Sequence, residues 1–187
     1  MVYPFFKNLL VFPYCRLQIR KIKGIKNIPK KSNFIITSNH ENRIDPLYLL
    51  YPFLRRLNKK IHFLAQPKLW FLGEKICRQW AGCIPLFNSK QSYAEIKEYL
   101  KKGKIVALFP QGSYKKEDNN KFKTGVIRLA METKTPILPI GIKSSYFPFS
   151  SALNIGKLVY SKKNKKGIEA QTADLMKYVY ALRSSIG

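Results

Sequence analysis

The sequence is short of acid: 10 Asp and Glu stand against 35 Lys and Arg in 187 residues, a formal net charge of +25. Such an excess goes far beyond what solubility requires and points to an anionic partner, whether nucleic acid, a phosphorylated substrate or an acidic membrane surface. Near an anionic leaflet each basic residue contributes about 1 kcal/mol, so a fraction of the excess would hold the chain at a membrane. Cysteine is scarce as well. Cys15, Cys77 and Cys83 are odd in number and lack zinc-type spacing, which argues against a disulfide framework and a metal site and fits a reducing cytosol. No apolar run nears the ~20 residues of a membrane span, and no leader with a small-residue cleavage site is visible, so a spanning anchor is not expected. The basic residues are dispersed and carry no nucleic-acid-binding motif, so nucleic acid is not expected as a partner.

What is present is a foldable core. With 45% apolar and 13% aromatic residues, the chain is long enough for one packed domain. Residues 34–37, 61–65, 105–109 and 137–142 read as buried strands. Between them, a helix from Pro46 carries Leu47, Leu50, Leu54 and Leu57 on one face, with a kink expected at Pro52. A second helix is expected over 67–80, ended by Gly82. A third opens on a capping box of Ser92 and Glu95 and closes at Gly103. Thr124 caps a fourth, which runs to Thr133 before Pro136. The last starts near Thr172, where Leu175, Val179, Leu182 and Ile186 form a single stripe. Residues 114–123 read as a mobile surface loop, 146–152 as aromatic and irregular, 157–160 as a short strand and 162–166 as a turn. Strands alternating with helices predict an α/β domain with a mainly parallel sheet flanked by helices.

Residues 1–23 stand apart from this domain, which occupies 24–187. Tyr3, Phe5, Phe6, Leu9, Leu10, Val11, Phe12 and Tyr14 precede Arg16, Arg20, Lys21, Lys23 and Lys26. This is the profile of a segment lying in the headgroup region of a membrane, and equally that of a helix packed on the domain. Leu17, Ile19 and Ile22 among basic residues read as an edge strand.

The chemistry centres on Ser38-Asn39-His40-Glu41-Asn42-Arg43-Ile44-Asp45-Pro46. Four residues separate His40 from Asp45, and on a continuous helix that offset would turn the side chains roughly 140° apart. A turn between them would let the pair meet beyond the carboxyl end of a strand, where open α/β sheets bind ligands. A neutral imidazole can take a proton from an alcohol as it attacks a carbonyl, and a carboxylate can fix its tautomer. The plainer alternative is that Asp45 caps a helix and His40 is a polar residue at a strand end. His62, inside a strand, reads as structural.

Three stretches, Asn39-His40 with Asp45-Pro46, Phe109-Pro110-Gln111-Gly112-Ser113 and Pro136-Ile137-Leu138-Pro139-Ile140-Gly141, resemble the motifs of the glycerolipid acyltransferases typified by lysophosphatidic acid acyltransferase. Gly24 to Pro29 and Phe122-Lys123-Thr124-Gly125 with Arg128-Leu129-Ala130 match as well. The resemblance implies a glycerolipid acyltransferase-like fold and assigns His40 as general base and Asp45 as its orienting carboxylate. It implies an acyl-CoA or acyl carrier protein thioester as co-substrate, no bound cofactor and no metal. The acceptor would be a lysophospholipid, 1-acylglycerol-3-phosphate giving phosphatidic acid, at the cytoplasmic face of an anionic membrane. The segment from Phe109 would bind the glycerol phosphate through Gln111, Gly112 and Ser113, and Pro139 would help shape the acyl site.

The chain departs from that family pattern in places. Gln111 stands where the family usually has glutamate and Tyr114 where it has a phosphate-pairing arginine. Gln66 and Asn88 likewise replace basic residues. Arg43, Lys90, Lys115, Lys116, Lys123 and Arg128 are candidates to supply the missing cationic contacts, though a lysine offers a point charge in place of a bidentate fork. The alternatives are a different lysolipid or amino-acid lipid acceptor, and a non-catalytic basic module that binds lipid or nucleic acid.

Overall fold

The computed structural model describes residues 7–30, 33–65, 77–78, 82–86, 88–113, 122–162 and 167–187. Among the described residues seven strands form one sheet: β1 (Ile19–Lys23), β2 (Ile35–Ser38), β3 (Ile61–Ala65), β4 (Cys83–Pro85), β5 (Ile105–Leu108), β6 (Ile137–Lys143) and β7 (Ser151–Ile155), in spatial order β1-β7-β6-β2-β5-β3-β4. Every neighbouring pair is parallel except β6 with β7. The expected mainly parallel sheet is therefore the one observed.

Burial explains the central strands. All residues of β2 and β5 are buried, because both sheet faces are covered, so their sequences read as apolar runs instead of alternating. Alternation survives in the direction each side chain takes. Ile36 joins a core with Phe34, Tyr48, Phe53 and Leu138, whereas Ile35 joins one with Ile96, Leu100, Val106, Ile127 and Leu175. The first core is closed by α1 (Phe12–Gln18) and α2 (Asp45–Leu57), the second by α3 (Ser89–Lys101), α4 (Gly125–Thr133) and α5 (Ile168–Ser184).

Several local expectations need correction. Helix α3 starts at Ser89 and is capped by Asn88, whose side chain accepts from the Lys90 N–H at 2.9 Å. Ser92 is drawn into the interior instead, donating to the Pro85 carbonyl, and Glu95 pairs with Arg78. The capping box thus has the right residue types four positions too late. Helix α5 begins at Ile168, so Thr172 lies inside it, with its hydroxyl donating back to the Ile168 carbonyl. Thr124 occupies the cap position of α4 but makes no side-chain cap bond. Helix α2 includes Pro52 within its span, and its buried face takes in Tyr48, Leu49, Tyr51 and Phe53 beside Leu50 and Leu54, whereas Leu47 and Leu57 are half-buried.

The strand expected over 157–160 is only a bridge between Val159 and Ile137, whereas β7 starts at Ser151, inside the stretch expected to be irregular, and runs on to Ile155. Ala152 and Leu153 are adjacent and both buried, so β7 shows no two-residue period to read. Strand β1 lies at a sheet edge as expected, with Arg20 and Lys21 exposed. Most of the helix expected over 67–80, most of the 114–123 loop and most of the 162–166 turn lie outside the described residues. Among the described residues no helix is long and apolar enough to cross a membrane.

His62 is buried in β3, its Nδ1 3.1 Å from the Gly82 carbonyl and its ring edge-on to Tyr99. A carbonyl only accepts, so Nδ1 carries the proton. Burial, aided by the charges of Lys60 and Lys104, pushes this imidazole down to about 4 and keeps it neutral. A cavity of about 290 Å³, lined by Lys59, Lys60, His62, Lys102 and Lys104, opens beside it at the amino ends of β3 and β5, the end away from His40.

Candidate active site

Strands β2 and β5 are parallel neighbours with Thr37 level with Leu108, so the segments that follow them leave at one edge of the sheet. This brings His40 onto Phe109, the rings stacked at 4.2 Å and 18°. The imidazole keeps 14% of its side-chain surface open.

The turn between His40 and Asp45 closes the pair. Nδ1 of His40 lies 2.8 Å from Oδ2 of Asp45, whose side chain is fully buried. That oxygen also accepts from the backbone N–H groups of Glu41 at 2.6 Å and Asn42 at 3.0 Å. Asp45 is therefore no N-cap. It is the first residue of α2, and its carboxylate reaches back to organise the preceding turn. The positive end of the α2 dipole favours a carboxylate there. Because a carboxylate can only accept from the neutral ring, Nδ1 is the protonated nitrogen and Nε2 the acceptor. A base of this kind is set to take a proton at Nε2.

The rest of the turn is held by side chains that replace backbone partners. Strand β2 ends at Ser38, but Asn39 continues the ladder: Oδ1 accepts from the Ile142 N–H at 2.9 Å and Nδ2 donates to its carbonyl at 2.8 Å. Asn42 donates to both the carbonyl and the hydroxyl of Ser144, just beyond β6. Glu41 accepts from the Ser144 N–H and pairs with Nε of Arg183, in the last turn of α5. Across the β5 edge, Oε1 of Gln111 accepts from the His40 N–H at 2.5 Å.

Gln111 thus spends its carbonyl on the turn that joins His40 to Asp45. Gly112 has φ +74°, and a Cβ there would stand 2.6 Å from the Lys123 side chain that crosses it. The Lys123 N–H donates to the Pro110 carbonyl and folds this segment onto Gln111-Gly112-Ser113. Arg43 is exposed on the turn itself. The structure accordingly gathers His40, Asp45, Gln111, Gly112, Ser113, Lys123 and Arg43 around one edge. It does not bring Arg128 or Pro139 there. Arg128 is exposed on α4, near enough to Tyr93 and Glu132 for its charge to act on both. Pro139 is buried within β6 facing Gly156.

The sequence reading passed over Glu41, Asn42, Ser144 and Arg183 as members of this site. The first two sit inside the motif and could have been suspected as polar groups in a turn that must satisfy its own backbone. Arg183 gave no signal, being 142 residues from its partner. Among the described residues no cluster of His, Cys, Asp and Glu is placed to hold a metal ion.

A family model described as Acyltransferase matches residues 19–143. The 1-acyl-sn-glycerol-3-phosphate acyltransferase of Borreliella burgdorferi is 30% identical over 155 residues, covering 74% of this chain and 58% of that protein. The protein of the same name from Bacillus subtilis is 27% identical over 128 residues, covering 64% of this chain and 60% of its own length. The chain thus spans less than two thirds of the length of these two relatives. Its backbone superimposes on the crystal structure of the 1-acyl-sn-glycerophosphate (LPA) acyltransferase PlsC from Thermotoga maritima with a TM-score of 0.69 at 20% identity, over 90% of this chain and 72% of that one.

Proposed function

Because the chain belongs to the acyltransferase family, we propose that it moves a fatty acyl group from an acyl-CoA or acyl carrier protein thioester to the free hydroxyl of 1-acylglycerol-3-phosphate, giving phosphatidic acid. The observation that carries this reading is the 2.8 Å contact between His40 Nδ1 and the fully buried Asp45. Nε2 takes the hydroxyl proton as the oxygen attacks the thioester carbonyl. The new ester C–O bond forms, the C–S bond breaks, and the imidazolium returns its proton to the departing thiolate. Asp45 stabilises that imidazolium and fixes the ring's orientation.

Lys123, lying over Gly112, and the exposed Arg43 are the cations that would meet the acceptor's phosphate. The net charge of +25 supports action at the surface of an anionic leaflet as a peripheral protein. A second reading keeps the chemistry and changes the acceptor. Gln111 is committed to the His40 backbone and contributes no charge to phosphate binding, which favours a lysolipid less dependent on that contact.

The test is thiol release from one acyl thioester with a panel of lysolipids. Release with lysophosphatidic acid, abolished in His40→Ala with the fold intact by circular dichroism, is the expected result. Undiminished release in that variant would end the proposal, and release with another lysolipid alone would select the second reading.

A further inference from the structure

Residues 144–150 connect β6 to β7 at the edge of the sheet that carries His40. They present large apolar side chains to solvent: Tyr146 is 58% exposed, Phe147 76% and Phe149 60%. The turn does not need these rings to hold its shape. Ser145 N–H donates to the Ser151 hydroxyl at 3.0 Å, which in turn donates to the Ser145 carbonyl at 3.1 Å. The Phe147 N–H donates to the Ser145 hydroxyl, and the Ser150 hydroxyl donates to the Phe147 carbonyl. Finally, Phe149 N–H donates to the Leu17 carbonyl at 2.9 Å, at the end of α1. Serine and backbone groups satisfy the turn, while the aromatic rings face outward.

Phe149 adds a second oddity. Its φ of +55° lies in the left-handed region, which glycine and asparagine occupy with less strain than a bulky aromatic residue. A ring held outward at such a position is a cost to the isolated fold. Beside it, Leu17 is 47% exposed, and Arg16, Arg20 and Lys21 are exposed on the same α1–β1 segment. Outward aromatic rings flanked by basic residues are the composition of an element that rests in a membrane interface. The bonds of this turn also lead to the chemistry: Ser144 accepts from Asn42, and the Ser145 carbonyl accepts from the Tyr48 hydroxyl on α2.

We propose that Tyr146, Phe147 and Phe149, with Leu17, form a docking surface that embeds in the headgroup region of an anionic bilayer. The surface lies next to the His40 turn, so docking holds the mouth of the site against the leaflet that supplies the acceptor. That consequence rests on the acyltransfer reading, whereas the docking itself does not.

The experiment measures flotation of the full chain with vesicles of phosphatidylcholine alone and of phosphatidylcholine with phosphatidylglycerol, for the wild type and for Phe147→Ser combined with Phe149→Asn. Asparagine suits the left-handed backbone, so the variant keeps its fold, which circular dichroism checks. The wild type is expected to prefer the anionic vesicles, and the variant to partition on the order of ten-fold more weakly. Phe147→Trp should show quenching by brominated lipid above the background of the native tryptophans. Unchanged partitioning of the double variant, or no added quenching in Phe147→Trp, would overturn the proposal. Thiol release with a short-chain, water-soluble lysophosphatidate and no vesicles keeps the two readings separate. Equal rates in wild type and double variant leave the defect in docking alone, a loss confined to the variant counts against a purely docking role, and no release from either discards lysophosphatidate as the acceptor without touching the vesicle result.

Discussion

Arg183, in the last turn of the C-terminal helix α5, pairs through Nε with Glu41, the residue that follows His40. Glu41 Oε1 also accepts from Asn39 at 3.2 Å, and Oε2 from the Ser144 N–H at 3.2 Å, so one carboxylate ties α5 and the end of β6 to the His40–Asp45 turn. The helix comes close enough to do this because residue 141 is glycine. A Cβ there would stand 2.2 Å from the Arg183 backbone nitrogen.

Arg183→Ala is therefore expected to lower kcat for thiol release roughly ten-fold while changing stability by less than about 1 kcal/mol. The pair is part-exposed, with 37% and 24% of the two side chains open, and such pairs contribute little to folding. Kinetics and a urea titration on one preparation check both halves. A stability loss of several kcal/mol at unchanged kcat would make Arg183 a fold residue only.

Asp45 should separate orientation from packing. In Asp45→Asn the amide oxygen can still accept from the Glu41 and Asn42 N–H groups, but the charge that supports an imidazolium is gone. A fall in kcat on the order of 10³-fold with modest destabilisation is expected. Asp45→Ala strips the His40 Nδ1–H and the part-buried Glu41 and Asn42 N–H groups of their acceptor and should in addition cost about 1 kcal/mol for each group left unpaired. Steady-state kinetics and thermal melts of the two variants give the comparison.

Gln111→Glu preserves an acceptor for the His40 N–H, whereas Gln111→Leu removes it. The glutamate variant is expected to stay within a few-fold of wild-type kcat, and the leucine variant to fall by roughly ten-fold through lost positioning of the turn, worth about 1–1.5 kcal/mol. An effect of Gln111→Leu confined to KM would place the amide on the acceptor instead.

His62 sets a pH dependence of stability. Its imidazole, pushed down to about 4 in the folded chain by burial, lies below its ordinary value of 6.5, so the unfolded chain binds the extra proton first. Stability from this group is full above about pH 6.5 and is lost as pH falls towards 4, amounting to roughly 1–2 kcal/mol by pH 5. His62→Phe should flatten that part of the profile, as followed by denaturant midpoints between pH 5 and pH 7.5.

Where sequence and structure agree, a strong local signal had no competitor. The apolar runs of β2, β5 and β6 are buried on both faces and could be little else, and Gly103, with φ +70°, ends α3 where the composition says it should. The His40 and Asp45 pair was legible because a turn that leads into Asp-Pro leaves few ways for the side chains to go. Strand β7 and the start of α3 were misread for related reasons. Ser151–Ile155 forms a strand by pairing with β1 and β6, a tertiary choice its own residues do not announce. Ser92 and Glu95 have the chemistry of a cap, but each found a better partner off the helix, at Pro85 and Arg78. The bracing of the active turn by Arg183 could not be read at all, since nothing local links residues so far apart.

That distance bears on how the protein comes into being. A chain emerging from the ribosome makes Glu41 well before its brace, since Arg183 follows only 142 residues later. A nascent chain paused between the two would carry the His40 turn without that tie, so the turn is completed only once α5 has been made.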